Sequence, residues 1–304
     1  MSILGLKRTG TERNRNLVKG LLFVSPWLVG FLAFTILPIL ASLYYSFMHY
    51  DIVRPPRFIG LANYTRMITE DKTFRLVLGN TLYFVLIGIP AGMVIAFLLA
   101  SLLNNEMKGR PAFRTIFFLP TLVPAVASAE VWRWVYNSRW GLINSVLKSL
   151  GLSIVPFLSA PELAKPSLII IDCWAQGTAM IIFLAALQDV PRSLYDSALV
   201  DGANALQRFW YITIPMCTPA ILFIMLTSMI GKFQYFALGW LLTEGGPNQA
   251  TEFYSIYLYR NAFVFFKMGY ASALAWILFL IIVVSTIAMF RLSGRWVFYR
   301  GQEK

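Results

Sequence analysis

The sequence predicts an all-α protein that crosses a lipid bilayer about six times. Three observations carry this. Of the 304 residues, 58% are apolar and only 13% charged, against roughly 25% charged in soluble domains. The apolar residues gather in continuous runs of roughly 20 or more, the length that spans hydrocarbon. The Lys and Arg residues behind the net charge of +12 lie mostly in short segments between those runs. A water-soluble sphere has too little interior for so much apolar surface. Basic residues placed this way orient a membrane chain rather than hold nucleic acid, so the expected surroundings are a lipid bilayer with no nucleic-acid partner.

The runs are residues 20–48, 76–103, 112–135, 167–187, 216–242 and 270–290. The first follows a basic stretch from Lys7 to Lys19 and so imitates a secretory signal. It is longer than a signal core of roughly 7–15 residues and lacks a small-x-small cleavage site, so it reads as a retained span. Backbone polar groups in lipid must be bonded within their own segment, which makes the runs helices. Their apolar character is continuous rather than alternating, which argues against a barrel. Pro38, Pro90, Pro120 and Pro124 predict kinks. Gly88 and Gly92 flank Pro90, which leaves open either close helix packing or a simple kink.

The segments between the runs set the direction. Residues 1–19 carry Lys7, Arg8, Arg13, Arg15 and Lys19 with Glu12 as their acid; Lys108, Arg110 and Arg114 follow the second run; residues 291–304 carry Arg291, Arg295, Arg300 and Lys304. By the positive-inside rule these stretches are cytoplasmic tails and a cytoplasmic loop, with both termini inside. Trp27, Tyr44, Tyr45, Trp132, Trp134, Tyr136, Trp240 and Trp296 stand near run ends, as interfacial anchors do. The outer segments are then residues 49–75, 137–166 and 243–269, and residues 141–150 read as a short amphipathic helix on that surface. Cys173 and Cys217 have no partner at disulfide or metal spacing and read as buried free thiols. With His49 as the sole histidine, neither a metal centre nor a catalytic triad is expected.

The longest structured inner segment is residues 189–215, D-V-P-R-S-L-Y-D-S-A-L-V-D-G-A-N-A-L-Q-R-F-W-Y-I-T-I-P. Pro191 suits a helix start and Ser193 a cap, after which Leu194, Ala198 and Leu199 follow at helical spacing. Asp201-Gly202 interrupts the pattern, with Asp201 as the expected cap of a second short helix carrying Ala205, Leu206 and Phe209. Pro215 marks the turn into the fifth run. Ala198, Gly202 and Ala203 are small enough to admit another backbone closely. On these residues alone, a docking elbow and a plain amphipathic connector both remain open.

This run resembles the cytoplasmic coupling motif of binding-protein-dependent permeases in ATP-binding-cassette importers. Asp196, Ser197 and Ala198 stand at the family's Glu-Ala-Ala positions, Leu199 continues the helix, and Asp201-Gly202-Ala203 and Ile212-x-Ile214-Pro215 fit the rest of the pattern. Asp196 and Ser197 depart from it while keeping charge and size. Further stretches are similar to the maltose-type carbohydrate permeases: Phe58-Ile59-Gly60-Leu61-Ala62-Asn63-Tyr64, Arg114-Thr115-x-Phe117-Phe118-Leu119-Pro120, Gly141-Leu142-Ile143-Asn144, Gly245-Gly246-Pro247 and Gly269-Tyr270-Ala271-Ser272-Ala273. The resemblance covers the chain from about residue 20 to about residue 300. It implies a permease domain over residues 20–290 in a bacterial cytoplasmic membrane, forming half of an importer pore with a second homologous permease. It also implies two copies of an ATPase subunit, an extracytoplasmic solute-binding protein and a carbohydrate substrate. No G-x-x-x-x-G-K-[ST] loop occurs, so ATP and Mg would be bound by the ATPase partner, and this chain is expected to hold no cofactor and catalyse nothing.

Glu130, Arg133, Asp172 and Lys232 fall inside the runs, at about 2.5–3.5 kcal/mol each on insertion scales. Once the runs are oriented, all lie in the outer half. Glu130, Arg133, Trp134 and Asn137 share one helical face, and Asp172 and Gln176 another. Two acids and two bases allow mutual pairing. One reading is a polar vestibule for a sugar, with Phe233, Gln234 and Tyr235 beside Lys232 offering aromatic faces and an amide. The other is packing ion pairs and snorkelling side chains. The alternative transporter class is ion-coupled, with Glu130 and Asp172 as ion sites; it calls for inverted internal symmetry, and no internal repeat is visible in the sequence.

Overall fold

The structure, a computed structural model, describes residues 10–298. Lys7, Arg8, Arg300 and Lys304, named above for the topology, lie outside the described residues, as do the side chains of residues 10–16. The chain is helical along most of its length: α1 (Gly10–Phe31), α2 (Leu37–Ser46), α3 (Ala62–Thr69), α4 (Lys72–Asn104), α5 (Arg110–Phe118), α6 (Ala125–Val135), α7 (Leu142–Ser149), α8 (Pro161–Trp174), α9 (Gly177–Gln188), α10 (Arg192–Val200), α11 (Ala205–Arg208), α12 (Ile214–Phe233), α13 (Ala237–Thr243), α14 (Tyr254–Tyr259) and α15 (Met268–Ser293). Four helical stretches, Leu17–Ser46, Lys72–Asn104, Ala205–Phe233 and Met268–Ser293, are long and apolar enough to cross a membrane, and bent pairs bring the number up to six.

One of the two bends falls at Pro124, where the sequence predicts a kink; the other, between α8 and α9, has no such signal. The third run divides at Val123 into Arg110–Leu122 and Ala125–Val135, which meet at 101°. Val123 precedes Pro124, whose ring disfavours helical backbone in the residue before it, and Val123 is extended at ψ 125. The fourth run bends by 50° between α8 and α9. There Gly177 lies so close to α5 that a Cβ would sit 2.8 Å from the Phe117 carbonyl oxygen and the Phe118 Cα. The fifth run ends early, at Phe233, and its last residues form the separate α13, packed on α6. Pro90, by contrast, sits inside an unbroken α4. Pro38 and Pro215 each follow a π-helical turn, Leu32–Ile36 and Phe209–Thr213. The wider turn absorbs the clash a proline ring makes with the preceding turn, and the helix continues through it.

α4 is the central post, packed by α8, α9, α12 and α14. Lipid supplies no hydrophobic drive between helices, so close approach and van der Waals contact decide the packing. Ala96 and Ala100 of α4 and Ala179 of α9 are buried and bring those helices together, with Phe97 edge-on to Phe183 at 5.2 Å. A second cluster gathers Phe74, Val85, Ile89, Met229, Phe233 and Leu274, and a third surrounds Phe84, Leu168 and Ile171. Tyr136, expected at the interface, is instead core, buried and stacked on Phe157 at 4.6 Å.

The single departure from all-α among the described residues is a two-stranded antiparallel ladder pairing β1 (Met48–His49) with β2 (Arg57–Phe58). It explains two of the sequence motifs. Asn63 donates to the carbonyls of Ser46 and Met48 at 2.9 and 3.0 Å, and Tyr64 to the Ser46 hydroxyl at 2.8 Å. Gly269 lies against the same strand, where any Cβ would collide with the Met48 carbonyl oxygen.

Candidate functional site

The ionisable residues of the spans resolve into two pairs. Asp172, in the last turn of α8, meets Lys232, in the last turn of α12. Lys232 is 6% exposed, so its charge depends on this partner. A helix C-terminus favours a cation, which adds to the attraction. Gln176 donates to the Asp172 carboxylate at 3.1 Å and to its carbonyl at 3.0 Å. The Lys232 ammonium lies 5.5 Å from the centre of the Phe84 ring. Gly88 and Gly92 settle their open alternatives here. They make room for polar side chains: a Cβ on Gly92 would come within 3.0 Å of the Gln176 amide, and one on Gly88 within 3.6 Å of the Lys232 stem. Tyr235 rests on Phe84 at 4.3 Å, and its buried hydroxyl has no hydrogen-bond partner among the described residues.

The second pair is Glu130 with Arg133, one turn apart on α6 and exposed at 63% and 47% of their side chains. Arg133 also donates to the Leu241 carbonyl, fastening α6 to α13. Asn137 closes the turn after α6, its side chain accepting from the backbone amides of Arg139 and Trp140 at 2.9 and 3.2 Å. Arg133, Asn137, Arg139 and Ser159 border an open cleft of about 520 Å³. Among the described residues no hydrogen bond or ion pair joins the two pairs; the nearest link is Trp132 edge-on to Trp174 at 5.6 Å. Of the remaining vestibule candidates, Phe233 is core packing, while Gln234 and Trp134 are exposed.

Residues 189–215 form an elbow. α10 begins after Pro191 and carries Asp196, Ser197, Ala198 and Leu199. It ends in a Schellman turn: the Ala203 amide donates to the Ala198 carbonyl at 2.8 Å and the Gly202 amide to Leu199 at 3.1 Å. Gly202 has φ +79, a conformation glycine adopts without strain, and nothing lies within 4 Å of where its Cβ would be. The expected cap Asp201 instead closes α10 at its C-terminal end, and Ser193 makes no cap bond. Asn204 caps α11 through a reciprocal box with Gln207, at 2.9 and 2.8 Å. Pro215 marks no turn, because α11, the π turn and α12 run as one 29-residue helix. Tyr195 bonds Thr213 at 2.9 Å and holds α10 to it. The outward face of the elbow shows Leu199, Val200, Leu206, Trp210 and Tyr211 uncovered.

Other polar joints escaped the sequence reading. Asp71 caps α4 through the Phe74 amide at 3.0 Å and accepts from the hydroxyls of Tyr257 and Tyr270. Burial raises its carboxyl, but these hydroxyls and the Phe74 and Thr73 amides outweigh burial and hold it below the ordinary value. Asn80 donates to the carbonyls of Gln249 and Glu252 and accepts from Lys165, and Glu252 pairs with Arg260 at 3.1 Å. An acid just before an apolar run is a recognisable cap signal, so Asp71 was legible; its tyrosine partners, nearly two hundred residues away, were not.

Residues 88–298 match the family model described as binding-protein-dependent transport system inner membrane component. The chain is 39% identical over 303 residues to the probable ABC transporter permease protein YesP of Bacillus subtilis (strain 168), covering 98% of this chain and 97% of that one. It is 31% identical over 288 residues to the trehalose/maltose transport system permease protein MalF of Thermococcus litoralis, covering 94% and 97%. Its fold is like that of a chain in the crystal structure of a bacterial alginate ABC transporter bound to its pentasaccharide-loaded periplasmic protein, with a TM-score of 0.83, 24% identity and coverage of 95% and 98%.

Proposed function

The chain belongs to the binding-protein-dependent transport system inner membrane components, the permeases of ATP-binding-cassette importers, and from that premise we propose that it forms half of a carbohydrate pathway opened and closed through the Gly202 elbow. The trehalose/maltose permease among its relatives supports a carbohydrate cargo. In this reading the termini and the elbow are cytoplasmic, a second permease completes the pore, a soluble binding protein delivers the sugar outside, and two copies of an ATPase supply the energy.

The observation that carries the reading is a continuity. The elbow leads into the helix of residues 205–233, and Lys232 stands at the far end of that same helix, roughly 40 Å away at 1.5 Å per residue. The uncovered Leu199, Val200 and Leu206 supply an apolar seat for the ATPase, and the Schellman turn and capping box make the elbow stiff. When ATP closes the ATPase dimer, the elbow shifts and the helix tilts as a rod. Its far end then moves Lys232 against Asp172 and Gln176 on the opposing α8–α9 bend. Glu130, Arg133 and Asn137 form the outer entrance in this scheme. Asp172, Gln176, Lys232 and Tyr235 form the gate behind it, where the buried, unpartnered Tyr235 hydroxyl would meet a sugar hydroxyl once the gate opens.

The test is uptake of a labelled maltooligosaccharide into proteoliposomes that hold the purified complex with the binding protein outside. Uptake that requires ATP inside and persists when ion gradients are collapsed is the expected result. Uptake driven by a sodium or proton gradient with the ATPase absent overturns the reading.

A further inference from the structure

Beyond the transport pathway, a cleft of about 420 Å³ opens where four helix termini meet, and Glu106, Arg110, Gln188, Arg192 and Tyr195 are among the residues that line it. Gln188 is the last residue of α9, Arg110 the first of α5 and Arg192 the first of α10. Arg114, one turn further along α5, reaches the same place: with its amide oxygen turned toward them, Gln188 accepts from Arg110 at 2.6 Å and from Arg114 at 2.8 Å. The Nε atoms of both arginines are buried with no hydrogen-bond partner. Among the described residues neither these arginines nor Arg192 makes an ion pair. Glu106 is the one acid on the wall against Arg110 and Arg192, and Arg114 adds to them, so the cleft carries a net positive charge. One neutral amide does not balance two adjacent guanidiniums, and buried charges call for a counter-charge. The N-terminal ends of α5 and α10 and the C-terminal ends of α4 and α9 meet at the cleft and offset one another, so the positive charge is that of the guanidiniums.

The depth of the cleft narrows the choice of anion. α4 is apolar enough to span and α9 is the second half of a bent pair that is, and both finish here, at Asn104 and Gln188, so the cleft lies at one end of the apolar stretches. Arginine forks match phosphate oxygens in pairs. We propose that this cleft binds a phosphate group, carried on an anionic phospholipid or free in solution, and that Arg110, Arg114 and Arg192 are its ligands. The occupant would bridge α5 to α10, and so tie the elbow to the bilayer surface beside it.

The experiment uses the purified transporter complex in nanodiscs of mixed phosphatidylglycerol and phosphatidylcholine, with retained lipid counted by native mass spectrometry. The wild type is expected to retain phosphatidylglycerol. Arg110→Gln with Arg192→Gln should weaken retention about 30-fold, for two guanidiniums removed beside an anionic surface. Glu106→Gln should strengthen it, a gain that a misfolded protein does not give. In a second arm, inorganic phosphate is added to complexes in phosphatidylcholine alone. A rise in thermal midpoint that the double variant lacks, without lipid retention, assigns the site to free phosphate. Equal lipid retention and equal phosphate response in the wild type and both variants overturn the proposal.

Discussion

The buried Lys232 is paired with Asp172, whose carboxylate also accepts from Gln176. Removing one partner leaves the other charge stranded. Asp172→Asn or Lys232→Met alone is therefore expected to cost about 3–5 kcal/mol, while Asp172→Leu with Lys232→Met together recovers most of it. Thermal unfolding of the complex in lipid reads the stability, and uptake reads function. If the pair is part of the gate, the double variant stays folded but transports poorly. Asp71 gives a second test, with a defined sign. Its carboxyl is held below its ordinary 3.8 in the folded chain, so the stability it adds is fully present above that value. It is lost as the pH falls from 3.8 through the lower folded value. Asp71→Asn should flatten that acid limb of the unfolding profile; an unchanged limb would mean that other carboxylates set it.

At the scale of elements, two glycines in helices separate packing from propensity. Gly177→Ala forces a Cβ against the Phe117 and Phe118 backbone and should destabilise by about 1–3 kcal/mol. Gly231→Ala meets nothing within 4 Å and should stabilise α12 by about 0.5–1 kcal/mol. The elbow behaves differently. Gly202 has open space around it but a left-handed backbone, so Gly202→Trp strains the turn and fills the surface proposed to seat the ATPase. The expected outcome is ATP hydrolysis retained and uptake per ATP reduced at least about tenfold, as for loss of about 1.4 kcal/mol of coupling. Normal uptake by this variant would remove the elbow from the mechanism. The elbow's helix–glycine–helix order was legible, because a glycine after an acid interrupts helical spacing. Its caps were not: Asp201 and Asn204 are both good capping residues, and only the Schellman bonds show which one begins α11.

At the scale of the whole molecule, the first half of the first span stands apart. α2 packs on α15, but no residue of the span's apolar window is buried, with Phe23 90% and Phe34 85% exposed, while the Lys72–Asn104 window is 39% buried. If the proposed pairing with a second permease holds, such a face meets that partner as well as lipid. Cysteine placed at Phe34 should therefore crosslink to the second permease in the intact complex, and crosslinks formed only between copies of this chain would argue for a homodimer.

What the sequence determined by itself was which segments lie in the membrane, roughly how many there are, and that the elbow carries a glycine break. These follow from local quantities: run length, proline, glycine and charge. What the tertiary structure decided was which face meets which. A span that is apolar on every side records its burial in lipid but not its neighbours, because lipid and a packed helix reward the same side chains. The bend at Gly177, the pairing of Asp172 with Lys232 across 60 residues, and the arginine cleft all depend on that choice of neighbours.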